Sequence, residues 1–526
     1  MEIVKFLQKN GVYVLLSTTL IIYMSFLWKY LLIEEILGIY LVPIFVSAVL
    51  AGLCFLPIRI FKPIKYQKIF VGALSVICVF QVCIVFFLFL FTKISPSFTK
   101  EQITNDIDFA IQMLEDVHPD PFTIIGKEDF YRKADSMKKS LPKIVTNKEA
   151  RRTFAKLYAL IKDGHTQAAS DFNFPPKFLP YKFRIIDDKI FVARNFCYRN
   201  VIPVGSEILS INGMTAQEYL QEVEQLFGWE NKTFRNAGMQ YPVMFDLWDS
   251  FRNFKVVYKT PAEKRKTIRT SGGIFSLQQM VNETRKNTIP YQYKTISDSI
   301  GYIEFNSFTD LERFKTFLSS TFTSIKNENL KHLIIDIRKN GGGNSVLGDE
   351  LLQYISKTEF IQFETVFVKI SEELINRNML HHIDSAERKP GTVWRSSNES
   401  LIELRDNPLR FTGKTYLLVG GNTFSSASSF TSAFQCFEVG AVIGTETGGV
   451  TVCFGDTYFY KLPETNFNMR ISYKKFYQAC GIDNRRGIIP DFIVENTIED
   501  EVNSFDRVLE FTLDLIKNQN KKIALK

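Results

Sequence analysis

Apolar residues recur at helical spacing at Ile103, Ile107, Ile111 and Leu114, and again at Phe154, Leu157, Tyr158 and Ile161. The stretch from Glu101 to Lys162 therefore predicts a helical subdomain. Thr146 and Glu149 form a capping-box pattern at the head of the second helix, and Gly164 suits its stop. From Tyr181 to about Ile289 the pattern shortens to strands, predicted over Lys189 to Ala193, Glu207 to Ile211 and Phe254 to Tyr258, with a helix near Ala216 to Phe227. Asn212-Gly213 follows the second of these strands, a hairpin signal in its own right. From Ile300 to about Asn496 strands and helices alternate. Strands are predicted at Ile300 to Phe305, Leu333 to Ile337, Tyr416 to Val419 and Ala441 to Gly444, and helices at Leu311 to Ile325, Ser345 to Ile355 and Ala427 to Phe437. That alternation predicts a layered α/β core with parallel strand pairs.

The N-terminal pattern is different. No charged residue occurs between Lys9 and Lys29, between Glu35 and Arg59, or between Lys68 and Lys93. Each interval is long enough for a helix of about 20 residues, so three transmembrane helices are expected. The loop from Arg59 to Lys68 carries four cations and no acid. The positive-inside rule makes it cytoplasmic and sets everything after Phe91 on the outer face. The expected division is a membrane domain over 1–96, a helical subdomain over 97–180, a β domain over 181–295, an α/β core over 296–500, and a C-terminal helix and tail over 501–526.

Three segments carry candidate chemistry. Thr415 to Phe430 leads from an apolar strand through Gly420-Gly421-Asn422 to Ser425-Ser426 at the head of a helix. A serine there has free backbone N–H groups and the positive helix end beside it, which suits a nucleophile, although on this segment alone a helix cap is the better reading. Leu333 to Asn344 ends a second strand in Gly341-Gly342-Gly343, where backbone N–H groups can approach a ligand closely. Leu160 to Thr166 sets His165 just past a helix, where an imidazolium is favoured.

Together, Asp-Gly-His-Thr at 163–166, Asp-Ile-Arg-Lys-Asn-Gly-Gly-Gly at 336–343, Ser-Ser-Ala-Ser at 425–428 and Gly-Ile-Ile-Pro-Asp at 487–491 stand in an order similar to that of tail-specific (C-terminal processing) serine peptidases. Their tricorn-core-like branch is the nearer match, over roughly residues 100 to 500. The resemblance implies Ser426 as nucleophile, His165 as general base, and the N–H groups of Ala427 and of Gly342 or Gly343 as oxyanion hole. Val450 stands where the other branch has a lysine base, so imidazole is expected instead. The tricorn-like pattern places a serine before the histidine and a glutamate shortly before the Gly487 stretch; this chain has Gly164 at the first position, and Asp483 or Glu446 as the acids available near the second. Gly205 to Gly213 resembles the central strand and turn of a PDZ domain, which implies a PDZ-like β domain able to bind a peptide by strand addition.

Composition adds limits. The 526 residues exceed one ordinary core, and 45% hydrophobic content with 48 Phe fits membrane spans plus globular domains. A net charge of +8 comes without a cationic-aromatic cluster, so no nucleic-acid partner is expected. Cys197, Cys436, Cys453 and Cys480 lie outside the predicted spans, unlike a zinc site in spacing, with a bridge open among them. The expectation is a membrane-anchored, multi-pass serine endopeptidase whose catalytic domain faces the extracytoplasmic side. It would act on proteins or peptides, need no metal or organic cofactor, and touch membrane lipid through its spans. The alternative is a catalytically silent relative acting as a binding or sensor protein.

Overall fold

In the computed structural model the described residues are 97–168, 178–197, 201–241, 254–272, a few positions between 276 and 283, 289–397 and 400–524. The elements below fall in a unit made of 98–173, 179–272 and 276–526.

Three helices come first: α1 (Lys100–Val117), α2 (Lys127–Ser140) and α3 (Asn147–Ala159). The Thr146 hydroxyl accepts the Glu149 N–H and the Glu149 carboxylate accepts the Thr146 N–H, so the capping box forms as the sequence predicts. Their apolar stripes close on Ile107, Leu114, Phe154 and Leu157 and continue onto Tyr458, Tyr460, Met469 and Ile471 of an antiparallel sheet.

A second group is built from β1 (Tyr181–Ile186), β2 (Lys189–Asn195), β3 (Glu207–Ile211), α4 (Ala216–Val223), α5 (Lys232–Gly238), β4 (Phe254–Lys259) and β5 (Arg265–Thr270), with the strands in the order β1-β2-β3-β4-β5. Asn212 and Gly213 have φ of 51° and 89°, the two left-handed positions a tight hairpin turn requires.

The core sheet holds β6 (Tyr291–Ser297), β7 (Ile300–Phe305), β8 (His332–Asp336), β11 (Lys414–Val419), β12 (Gly440–Gly444) and β15 (Phe492–Ile493) in that spatial order. From β7 to β15 all pairings are parallel, with Ile335 beside Leu417 and Leu417 beside Val442. Parallel strands are covered on both faces, which explains why β8 is buried at every residue. One face packs on α6 (Leu311–Asn327), α7 (Val346–Ile355) and α8 (Ser426–Cys436); the other packs on Val508 and Ile516 of α9 (Arg507–Ala524). Each fully buried large apolar side chain contributes about 1.5–3 kcal/mol. Beside this lies an antiparallel sheet of β9 (Phe363–Lys369), β10 (Val393–Ser397), β13 (Val452–Lys461) and β14 (Asn468–Gln478), ordered β10-β9-β14-β13. Gln167 and Ala168 pair with Arg470 and Met469 of β14, so the segment after His165 is stitched to that sheet.

The α/β core stands, but the fold class is corrected in one respect, and the location with it. Among the described residues no helix is long and apolar enough to cross a membrane. The longest, α1 and α9, have 18 residues each and are amphipathic, with charged side chains such as Glu101, Asp108 and Glu115 on α1. The three expected transmembrane helices fall within 1–96, outside the described residues. The multi-pass membrane protein with an extracytoplasmic catalytic domain is therefore not supported, nor is lipid contact through spans.

Candidate active site

The parallel strands deliver their loops to one edge. The turn after β11 and the glycine loop after β8 meet there, as ligand loops do at the carboxyl ends of α/β sheets. Between β11 and α8 the chain turns so sharply that Ser425 adopts φ 55° and ψ −130°, a strained conformation for a residue with a side chain. That geometry lifts its hydroxyl out of the helix toward His165, and Ser425 Oγ lies 3.0 Å from His165 Nε2. Ser426, one residue on, is already helical; its Oγ donates to the Gly343 carbonyl at 2.6 Å. Of the two serines, it is Ser425 rather than the expected Ser426 whose hydroxyl meets the imidazole.

Of the N–H groups expected as oxyanion donors, those of Ala427 and Gly342 are taken and that of Gly343 is not. The Ala427 N–H donates to Phe424 O and the Gly342 N–H to Asn340 Oδ1. The N–H groups of Ser426 and Gly343 have no acceptor among the described residues and flank the serine. Gly342 lies so close that a Cβ there would meet Ser425 Cβ and Phe424 O at 2.8 Å, at a φ of +97°. That contact explains a glycine requirement at 342.

His165 is stacked on Phe424, ring centroids 4.6 Å apart, and Phe424 stacks on Phe234 of α5 at 4.4 Å. Its backbone N–H donates to Asp163 Oδ1 at 2.8 Å, while its Nδ1 is 3.7 Å from the same oxygen and is buried without a hydrogen-bond partner. Asp163 is fully buried. Ser472 Oγ donates to its Oδ2 at 2.6 Å, and His118 Nε2 faces that oxygen at 3.5 Å. Because His118 Nδ1 accepts the Asp120 N–H, the neutral ring carries its proton on Nε2, toward Asp163. Burial alone would raise the Asp163 carboxyl, but the His118 and His165 rings beside it outweigh that and hold the group well below the usual carboxylate range.

The expected orienting acids lie elsewhere. Asp483 is half-exposed, 3.9 Å from Lys475 Nζ, and Glu446 is bound to Arg486 and to the Gly487 N–H. Neither reaches His165, because the loop before Gly487 turns Arg485 inward, to the carbonyls of Lys162 and Glu230, and leaves its acids outside. Glu230 reaches the cluster from the β group: it accepts the Gly164 N–H at 3.1 Å and the Val450 N–H at 3.4 Å. Asp163, His165 and Glu230 offer ligand-type atoms all within 4.8 Å of one another.

Sequence reasoning gave no role to Asp163 or Glu230 and chose Ser426 over Ser425. Asp163, two residues before the histidine inside Asp-Gly-His, was the one legible signal; Glu230 had none.

Beside Ser425 opens a cavity of about 400 Å³, lined in part by Phe363, Trp394, Phe454 and Phe476 and by the Asp456–Lys474 ion pair. Lys474 is paired with Asp456, and Val450, where the other branch has its lysine, is buried with its N–H on Glu230.

A serine, an imidazole and two free N–H groups at a cleft define a site for acyl transfer. Residues 299–494 match peptidase family S41, and the chain is a serine-type peptidase. No curated protein matches the chain by sequence. The fold is similar to that of mature CPAF, at 13% identity over 80% of this chain and 96% of that one, with a TM-score of 0.58. The complex of mature CPAF with lactacystin gives 13%, 80%, 98% and 0.57 in the same order. The photosystem II D1 C-terminal processing protease gives 14%, 74%, 92% and 0.40.

Proposed function

We propose that the protein is an endopeptidase that cleaves protein or peptide chains through an acyl-enzyme on Ser425. The observation that carries this is the 3.0 Å contact between Ser425 Oγ and His165 Nε2 at a strand-to-helix turn facing the cleft. In the first half-reaction the Ser425 proton passes to His165 Nε2 as Oγ attacks the substrate carbonyl. The oxyanion is held by the N–H groups of Ser426 and Gly343, assisted by the positive end of α8. The C–N bond then breaks as His165 returns the proton to the leaving amine. In the second half-reaction His165 takes a proton from water, the hydroxide attacks the ester, and Ser425 leaves with that proton. The imidazolium formed in each half is stabilised by the buried charge of Asp163. The cleft's aromatic lining favours an apolar substrate side chain. A fluorophosphonate probe tests the reading: one label per chain, mapped to Ser425, is expected. A label on Ser426, or none on a protein that hydrolyses peptides, overturns it.

A further inference from the structure

We infer that Glu230, carried in from the β group, is a positioning residue for His165 and shares with Asp163 the task of stabilising its protonated ring. The inference rests on the Ser425–His165 reading.

The buried Nδ1 of His165 has no hydrogen-bond partner, yet a general base needs that atom held while Nε2 accepts a proton. Asp163 meets the need only in part. It is beyond hydrogen-bond reach of Nδ1 at 3.7 Å, and its two oxygens already serve the His165 N–H and the Ser472 hydroxyl. Glu230 is the other carboxyl in the cluster.

Its placement is fixed by several independent contacts. The Gly164 and Val450 N–H groups hold its carboxyl, and Arg485 Nη2 donates to its carbonyl at 2.9 Å. Next to it, the Asn231 side chain donates to Thr447 O at 3.0 Å. Two residues earlier, a Cβ at Gly228 would stand 2.0 Å from the Asp163 carbonyl, so the two segments touch backbone to backbone. A carboxylate this deeply buried is stable only beside a cation. The titratable groups facing it are Asp163 and His165 from the loop after α3, Arg485 from the loop before β15, and Cys453 from β13.

Burial, and then the charge of Asp163, push the Glu230 carboxyl up to about 7, against a smaller opposing pull from His165. The two acids are thus driven apart, Asp163 ionised and Glu230 titrating near neutrality. Ionised Glu230 favours the imidazolium; protonated Glu230 does not.

Glu230→Gln mimics the protonated acid at every pH. Relative to the parent, its kcat/KM should be nearly unchanged at about pH 6 and about tenfold or more lower at about pH 8. A merely structural role would lower activity by the same factor throughout, and a flat mutant-to-parent ratio overturns the inference. If the variant does not fold, the parent's fluorophosphonate labelling rate decides. A fall steeper than one decade per pH unit between about pH 8 and pH 6 supports ionisation of two groups, and a slope that nowhere exceeds one overturns it. Failure of the Ser425 reading is distinct, since the parent itself would then go unlabelled at Ser425.

Discussion

Ser425 Oγ and His165 Nε2 lie 3.0 Å apart although 260 residues separate them in the chain. The contact exists because α3 and β14 hold the histidine loop rigidly and because Ser425 takes a left-handed conformation in front of α8. A slip of one residue would replace the nucleophile by the hydroxyl that donates to Gly343.

Ser425→Ala is expected to lower peptide hydrolysis by at least about a thousandfold while leaving the fold intact. Ser426→Ala removes one hydrogen bond to Gly343, for about 1 kcal/mol of stability, and should keep activity within about tenfold of the parent. Steady-state kinetics on the pair, with thermal melts to confirm folding, checks this. The reverse ranking would return the nucleophile to Ser426.

How far the site could be read in the sequence follows from the same two serines. Strand, glycine exit and helix were legible because apolar runs and Gly-Gly-Asn have local physical meaning. Which of two adjacent serines faces the imidazole depends on one φ angle, and both identities suit a helix start. Glu230 was illegible for another reason. It is brought beside His165 by docking of the β group, and no spacing or propensity reports a contact over 66 residues. Asp483 lay in the stretch where the family pattern places its acid, with Glu446 as the other candidate, but the loop there turns Arg485 inward instead.

Gly164 marks a departure from the tricorn-like pattern, and packing gives its reason. A Cβ at 164 would meet Phe424 Cζ at 2.7 Å and Phe234 Cε1 at 2.9 Å, in the ring column that supports His165. Gly164→Ser should therefore not improve the enzyme. It should cost about 1–3 kcal/mol through overpacking and reduce kcat by about tenfold or more by displacing Phe424. A serine variant as active and as stable as the parent would show that the column yields freely.

Cys436, the last residue of the nucleophile helix, is bonded to Cys480 just after β14, across a separation of 44 residues. Loop-closure entropy for a link of that span gives roughly 4 kcal/mol as an upper value. The double variant Cys436→Ala with Cys480→Ala should unfold at lower denaturant concentration, and reduction of the parent should reproduce the shift. Coincident denaturation midpoints for the parent and the double variant would contradict a stabilising link.

The two buried acids predict opposite dependences of stability on pH. Asp163 has a folded pKa depressed below its unfolded value, so its contribution is fully present above about pH 4 and is lost as pH falls through the folded value. Glu230 is raised from 4.5 to about 7, so the fold favours its protonated form. Its contribution is present below the unfolded pKa and is lost as pH rises to about 7, a change of roughly 3 kcal/mol if the shift is realised in full. Glu230→Gln removes that loss. Its stability relative to the parent, measured by denaturant unfolding at several pH values, should rise steadily between about pH 4.5 and pH 7 and level off above. Asp163→Asn should show the contrary trend, losing ground to the parent as pH rises from acid to about 4 and then holding a constant deficit. Parallel curves for Glu230→Gln and the parent would mean that Glu230 titrates as an ordinary carboxylate and that burial does not hold its proton.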